Sequence, residues 1–247
     1  MDLGISGRRA LVAASSSGLG LSAARALAEA GCSVAISGRD EGRLAEATAN
    51  VPGSAAVVAD VSTAAGAEAL VADAITALGG VDILVTNAGG PPPGRFGDVT
   101  VQQYEDAVHL NLMSVVAMCK AAVPSMQQRR WGRVVAITSI AVREPIDQLI
   151  LSNTARAGAT AFLKTMSTEV AADGVTVNTL QPGYHATKRL HQVYGESLGD
   201  LAAEVPTRTV GDPDDFGRVC AFLCSESARF ITGASIPVDG GSTRGLQ

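Results

Sequence analysis

No basic run longer than a pair occurs in the 247-residue chain, whose 19 Lys and Arg stand against 24 Asp and Glu for a formal net charge of −5. A nucleic-acid or anionic-membrane binder would carry a basic footprint, so neither partner is expected. No stretch approaches the roughly 18 consecutive apolar residues of a membrane helix. Arg8 and Arg9 precede a short apolar run that meets Ser15, Ser16 and Ser17 at once, too short for a twin-arginine signal. The pair reads as the start of the fold, and the protein as cytoplasmic. Cysteine is scarce too. Cys32, Cys119, Cys220 and Cys224 are scattered in apolar stretches, no C-x-x-C occurs, and His109, His185 and His191 offer no metal-ligand spacing. We read the four as buried core thiols and expect no metal.

What is present is core-forming material: 47% of residues are hydrophobic and 17% charged, the balance of a globular chain. Short β-branched or apolar runs at 9–13, 32–37, 55–59, 81–86, 133–138, 175–180 and 235–238 read as seven strands buried on both faces. Ala-rich helical patterns lie between them at 18–30, 41–50, 64–78, 101–129, 152–172 and 214–225. Gly31, Gly79, Gly80 and Gly174 fall just past helix ends, where a left-handed residue closes the last turn. This alternation predicts one Rossmann-type α/β domain over 1–247, a doubly wound seven-stranded parallel sheet with helices on both faces. Residues 190–206 break the rhythm, and a substrate lid is expected at about 184–208. There Leu190, Val193, Leu198, Leu201 and Val205 mix with Glu196, Asp200 and Glu204. Its inner face would suit an apolar ligand. Basic charge in this region amounts to Lys188, Arg189 and nearby Arg208, which disfavours a highly anionic acyl carrier.

The first strand runs into Ala14, Ser15, Ser16, Ser17, Gly18, Leu19 and Gly20, and a helix opens there. In this strand–turn–helix setting the helix N-terminus points free N–H groups and a positive dipole end at the turn. Gly18 would admit a pyrophosphate against the backbone, and Gly20 would let helix and strand pack closely. By itself the turn is equally a plain tight turn.

Further motifs follow in order: Asp60–Val61 after the third strand, Asn87–Ala88–Gly89 after the fourth, and Asn111 on the long helix. Ser139 follows the fifth strand. Asn178, Gln181, Pro182 and Gly183 lie on and after the sixth, and Thr232–Gly233 and Val238–Asp239–Gly240–Gly241 close the chain. Together they resemble the short-chain dehydrogenase/reductase family over essentially the whole length, closest to the group called 3-oxoacyl-carrier-protein reductases. The family's T-G-x-x-x-G-x-G turn is matched by 13–20, with Ala at both leading positions. The resemblance implies dinucleotide contacts from Ser16, Ser17, Gly18, Leu19, Gly20, Asp60, Val61, Asn87, Ala88, Gly89, Pro182 and Gly183. It implies catalytic roles for Asn111 and Ser139, and a homotetramer or homodimer. Small residues of the fifth helical pattern (Ala155, Ala157, Gly158, Ala159, Ala161) would permit close approach of a second copy.

The second strand ends Ser37–Gly38–Arg39, with no carboxylate to meet a ribose diol. The planar cation of Arg39 suits a 2′-phosphate and Ser37 leaves room for it, so NADP(H) is expected over NAD(H). The bland reading is a solvated Arg39 paired with Glu41.

One motif departs from the family pattern. The family's Y-x-x-x-K, 13 residues after the serine, falls on Ser152 and Arg156. Arg156 keeps the cation that would hold the nicotinamide ribose. Serine is shorter and far less acidic than tyrosine, and cannot protonate the substrate oxygen without a bridging water. Tyr184, His185 and Glu144 are alternative donors, with His185 the best suited near neutral pH. Tyr184 and Lys188 repeat the spacing but lack the serine strand before them. His109 and Tyr104 read as packing residues. The expectation is a reductase or dehydrogenase acting on a small carbonyl or alcohol, with an altered proton relay. A dinucleotide-binding protein without turnover, or a lyase or isomerase on the same scaffold, are the alternatives.

Overall fold

The computed structural model describes residues 2–195 and 198–246, so Glu196 of the expected lid lies outside the described residues. Seven strands, β1 (Arg9–Val12), β2 (Ser33–Gly38), β3 (Ala55–Val58), β4 (Ile83–Thr86), β5 (Gly132–Ile137), β6 (Val175–Pro182) and β7 (Ser235–Val238), form one sheet. The order is β3-β2-β1-β4-β5-β6-β7 and every pairing is parallel, as in Ala10 opposite both Val34 and Ile83. Parallel neighbours require crossovers, and helices supply them.

Alternate residues of each strand feed opposite faces. Ala10, Val12, Ile36, Val85 and Ile137 pack under α1 (Gly18–Glu29), α2 (Glu41–Ala49) and α9 (Pro213–Leu223). Leu11, Ala35, Leu84, Val134 and Val177 pack under α3 (Ala64–Leu78), α5 (Ser114–Gln128) and α6 (Ile150–Val170). All four cysteines are free and buried, as expected of core thiols. Burial pushes the Cys32 thiol up to about 11 and Cys119 up to about 12, so neither is a ready nucleophile.

Local chemistry sets the helix ends. Thr63 accepts from Gly66 N at 3.1 Å to open α3, and Gly79, at φ +76°, closes it. Thr100 and Gln103 form a reciprocal capping box at the start of α4 (Val101–Val108). The expected single helix at 101–129 is interrupted by a π-helical turn, His109–Met113, which turns Asn111 inward. Val101–Gln128 has the length and hydropathy of a membrane span, but half of its most apolar 18-residue stretch is buried in this domain, as befits a core helix. His109 is exposed on that turn rather than packed, whereas Tyr104 does pack with Leu151 and Ala155.

The lid region forms two short helices, α7 (Lys188–Tyr194) and α8 (Leu198–Glu204). The apolar residues expected on one inner face part ways. Leu190 and Val193 border the main cavity, whereas Leu201 and Val205 are buried in the fold, with Val205 against Gly240 of the tail.

Candidate active site

The chain reverses direction across the sheet between β1 and β4, and beyond their carboxyl ends opens a cavity of about 540 Å³. One wall is the turn into α1. Gly18 sits at φ +58°, and the N-cap Ser17 makes no side-chain cap bond, so the first-turn amides open on the cavity beside Ser16, Ser17, Gly18 and Leu19. Gly20 does not line the cavity. A Cβ there would stand 2.8 Å from both the Ala14 carbonyl oxygen and Asn87 Nδ2, so glycine is required for packing, as its place in the turn suggested. Asn87 Nδ2 donates to the Ala14 carbonyl at 3.1 Å and ties β4 to this turn.

At the β2 end Arg39 lines the cavity and makes no ion pair among the described residues, whereas Asp40 caps α2 and pairs with Arg43 at 3.8 Å. The Arg39–Glu41 pair does not form. Ser37 is not the residue that makes room: it is buried, and its Oγ accepts from Ala14 N at 3.0 Å. Gly38, against Ser16, gives the open surface instead. Asp60, Val61, Ala88, Gly89, Pro182 and Gly183 complete this length of the wall. Free amides at a helix N-terminus, an unpaired arginine and a glycine-lined surface suit a phosphorylated dinucleotide.

The other end gathers Ser139, Ser152 and Arg156. Ser139 caps the short turn Ile140–Val142 by accepting from Ala141 N at 3.1 Å, which leaves its O–H to donate into the cavity. Ser152 Oγ accepts from Arg156 Nε at 3.2 Å, and its O–H is likewise uncommitted. Arg156 also donates through Nη1 to the Ile137 and Thr138 carbonyls, at 2.9 and 3.2 Å, and through Nη2 to Ala88 at 3.4 Å. Four of its five N–H groups are thus engaged. Burial, joined by the charge of Arg189, pulls this guanidinium down to about 10. Asn111 stands behind the wall, donating to the Gly89 carbonyl at 3.0 Å, and its buried Oδ1 has no partner.

The alternative donors separate clearly. Glu144 is exposed and accepts from Arg244 N and Gly245 N of the tail, away from the cavity. The His185 ring lies against Gly211 and edge-on to Phe216, and burial lowers its pKa despite the Gly183 carbonyl and the Asp212 and Asp239 charges. The ring is packed on that side, yet His185 also lines the cavity. Tyr184 lines the cavity edge-on to Tyr194, with ring centroids 5.4 Å apart. Burial, with Tyr184 alongside, holds the Tyr194 phenol well above its ordinary value. Lys188, exposed at the start of α7, lines the same cavity, and no hydrogen bond joins it to Tyr184 among the described residues.

Three contributors were not singled out as site residues by sequence reasoning. Thr187, the N-cap of α7, lies over Gly18, Arg43 joins Arg39 at the β2 end, and Arg189 reaches over Gly90. Thr187 could have been found as the first capping residue after Pro182–Gly183, and Arg43 by its helical spacing from Arg39. Only the fold brings Arg189 to Gly90.

A family model described as enoyl-(acyl carrier protein) reductase matches residues 13–243. Human dehydrogenase/reductase SDR family member 4 is 34% identical over 240 residues, covering 94% of this chain and 86% of that protein. The acetoacetyl-CoA reductase of Shinella zoogloeoides is 32% identical over 235 residues, covering 95% and 98%. The L-sorbose reductase of Gluconobacter frateurii, solved with NADPH and L-sorbose, superposes with a TM-score of 0.92 at 32% identity over 100% of both chains.

Proposed function

The chain belongs to the short-chain dehydrogenase/reductase family of oxidoreductases, and from that premise we propose that it is an NADPH-dependent reductase of a small carbonyl compound with a rebuilt proton relay. The observation that carries this reading is the continuity of one cavity, from Arg39 and the α1 turn to Ser139, Ser152 and Arg156. Ser16, Ser17, Gly18, Leu19, Asp60, Val61, Asn87, Ala88, Gly89, Pro182 and Gly183 would hold the dinucleotide, with Gly20 shaping the turn and Arg39 taking the 2′-phosphate. NADPH, when bound, supplies the hydride.

The remaining work falls to the chain's own side chains. Ser139 donates its free O–H to the carbonyl oxygen and stabilises the charge that gathers there. Ser152 is too short to reach that oxygen directly, so its O–H acts through one water. Arg156 keeps Ser152 oriented and a positive charge beside the developing alkoxide, with one N–H left for the nicotinamide ribose. The orphaned Asn111 Oδ1 is a ready acceptor for a water of the relay. The helix α7 over the cavity is the inner wall of the lid. A homotetramer or homodimer belongs to the same proposal. Ala155 and Ala159 are buried within the chain and Gly158 sits against Leu112, so only Ala157 and Ala161 of the small residues on α6 remain for a second copy.

The test is NADPH consumption by purified protein against a panel of ketones and quinones, with Ser139→Ala as control. The reading predicts turnover that falls at least about 100-fold in the variant, the scale of a lost oxyanion donor. Binding of NADPH with no consumption would instead favour a dinucleotide-binding protein without turnover, a reading to which the missing phenol lends weight.

A further inference from the structure

Six arginines of the described chain are at least partly buried: Arg8, Arg9, Arg25, Arg133, Arg156 and Arg189. The first four each stand within 4.0 Å of a carboxylate, through Glu226, Asp82, Asp214 and Glu226 respectively. The last two, both lining the active cavity, pair with none among the described residues. Arg189 projects from α7 with its guanidinium on Gly90, where an added Cβ would lie 2.8–3.0 Å from it. Its Nη2 donates to the Pro91 carbonyl at 2.7 Å, and that bond uses one of five donors. Burial lowers the pKa of Arg189, and its charge opposes that of Arg156 across the cavity. Two unpaired, partly desolvated cations facing one cavity are costly unless an anion joins them.

We propose that Arg189, backed by Arg156, receives a carboxylate of the substrate, so that the enzyme reduces oxo acids to hydroxy acids. This rests on the reductase reading and names its substrate class. The cofactor's phosphates have other partners available, in the amides of the α1 turn and in Arg39 and Arg43 at the far end. The one carboxylate of the cavity lining, Asp60, lies just past β3 with its Oδ1 bound to Ser62 N. Nothing acidic among the described lining residues therefore competes at the Arg189 end. A planar guanidinium with several free N–H groups fits a carboxylate in a two-pronged contact that a neutral ketone cannot offer.

Matched acids and methyl esters test the assignment: 2-oxobutyrate, acetoacetate and levulinate, each against its ester, in wild type, Arg189→Gln and Arg189→Lys. The account predicts that wild type prefers at least one acid to its ester in kcat/KM. Arg189→Gln should shrink that ratio about tenfold or more, mainly through KM, with partial recovery in Arg189→Lys. Calorimetric titration of the acids into NADP-loaded protein gives a readout independent of turnover. If wild type binds an acid and Arg189→Gln loses it while no variant oxidises NADPH, the carboxylate site stands and the reductase reading falls. If esters turn over as well as acids, or if Arg189→Gln weakens NADPH itself tenfold while sparing the acid preference, the reductase stands and the carboxylate site is overturned.

Discussion

The two ends of the active cavity are built by different means. At the dinucleotide end the contacts come from backbone: the amides of the α1 turn, the glycine surface at Gly38 and the Asn87 bond that ties β4 to Ala14. At the other end they come from side chains, Ser139, Ser152, Arg156 and Arg189. A backbone site tolerates little change where a glycine is hemmed in, as at Gly20 and Gly183, where an added Cβ would stand 2.8 Å from its neighbours. A side-chain site can exchange its chemistry while the fold stands, and Ser152 and Arg156 sit within the unbroken helix α6.

That contrast can be broken most forcefully at Gly20. Gly20→Val drives a branched side chain into the Ala14 carbonyl and Asn87. NADPH affinity should fall at least about 100-fold, some 2.7 kcal/mol, in a titration monitored by calorimetry. A variant binding within threefold of wild type would show that the backbone end is not rigid.

Arg156→Met comes next and probes the side-chain end. It removes the donor from the Ile137, Thr138 and Ala88 carbonyls, and should cost about 2–3 kcal/mol of stability in urea unfolding. Its effect on NADPH affinity should stay below about tenfold, since one N–H alone is free for the ribose. Arg39→Ala should weaken NADPH by about 1.5–3 kcal/mol and leave NADH nearly untouched, the signature of a charged bond to the 2′-phosphate. Equal losses for the two cofactors would remove Arg39 from that role.

The smallest effect sharpens the comparison. Ser152→Tyr alone should give no efficient reductase, because Arg156 rather than lysine lies beneath it and Leu149 and Leu151 make its surroundings apolar. Ser152→Tyr with Arg156→Lys should raise carbonyl reduction about tenfold, or roughly 1.4 kcal/mol of barrier. A double variant slower than wild type would mean that the present relay is better suited to its substrate than a phenol.

The fold was legible because strand alternation and helix stops are local properties of the chain. The strand runs, the closing glycines Gly79 and Gly174 and the turn at Gly18 all mark structure where they stand. The wall made by the α1 turn was legible for the same reason, as Ser16, Ser17, Gly18 and Leu19 are consecutive residues. What escaped depends on contacts between distant segments. Ser37 reads as space for a phosphate until its Oγ is seen bound to Ala14 N, and nothing near His185 in the chain announces that Phe216 packs on its ring. The π turn at Asn111 has no periodic signature, and the approach of Arg189 to Gly90 joins residues 99 positions apart.

The central claim is that this cavity still moves hydride to a carbonyl carbon without the usual phenol. Deuterium transfer tests it most directly: wild type is incubated with NADPH carrying deuterium on either face of C4 and the oxo acid panel, and the products are weighed by mass spectrometry. The account predicts one deuterium in the hydroxy acid from one labelled face and none from the other. NADPH bound at micromolar concentration with no deuterium in any product would contradict it.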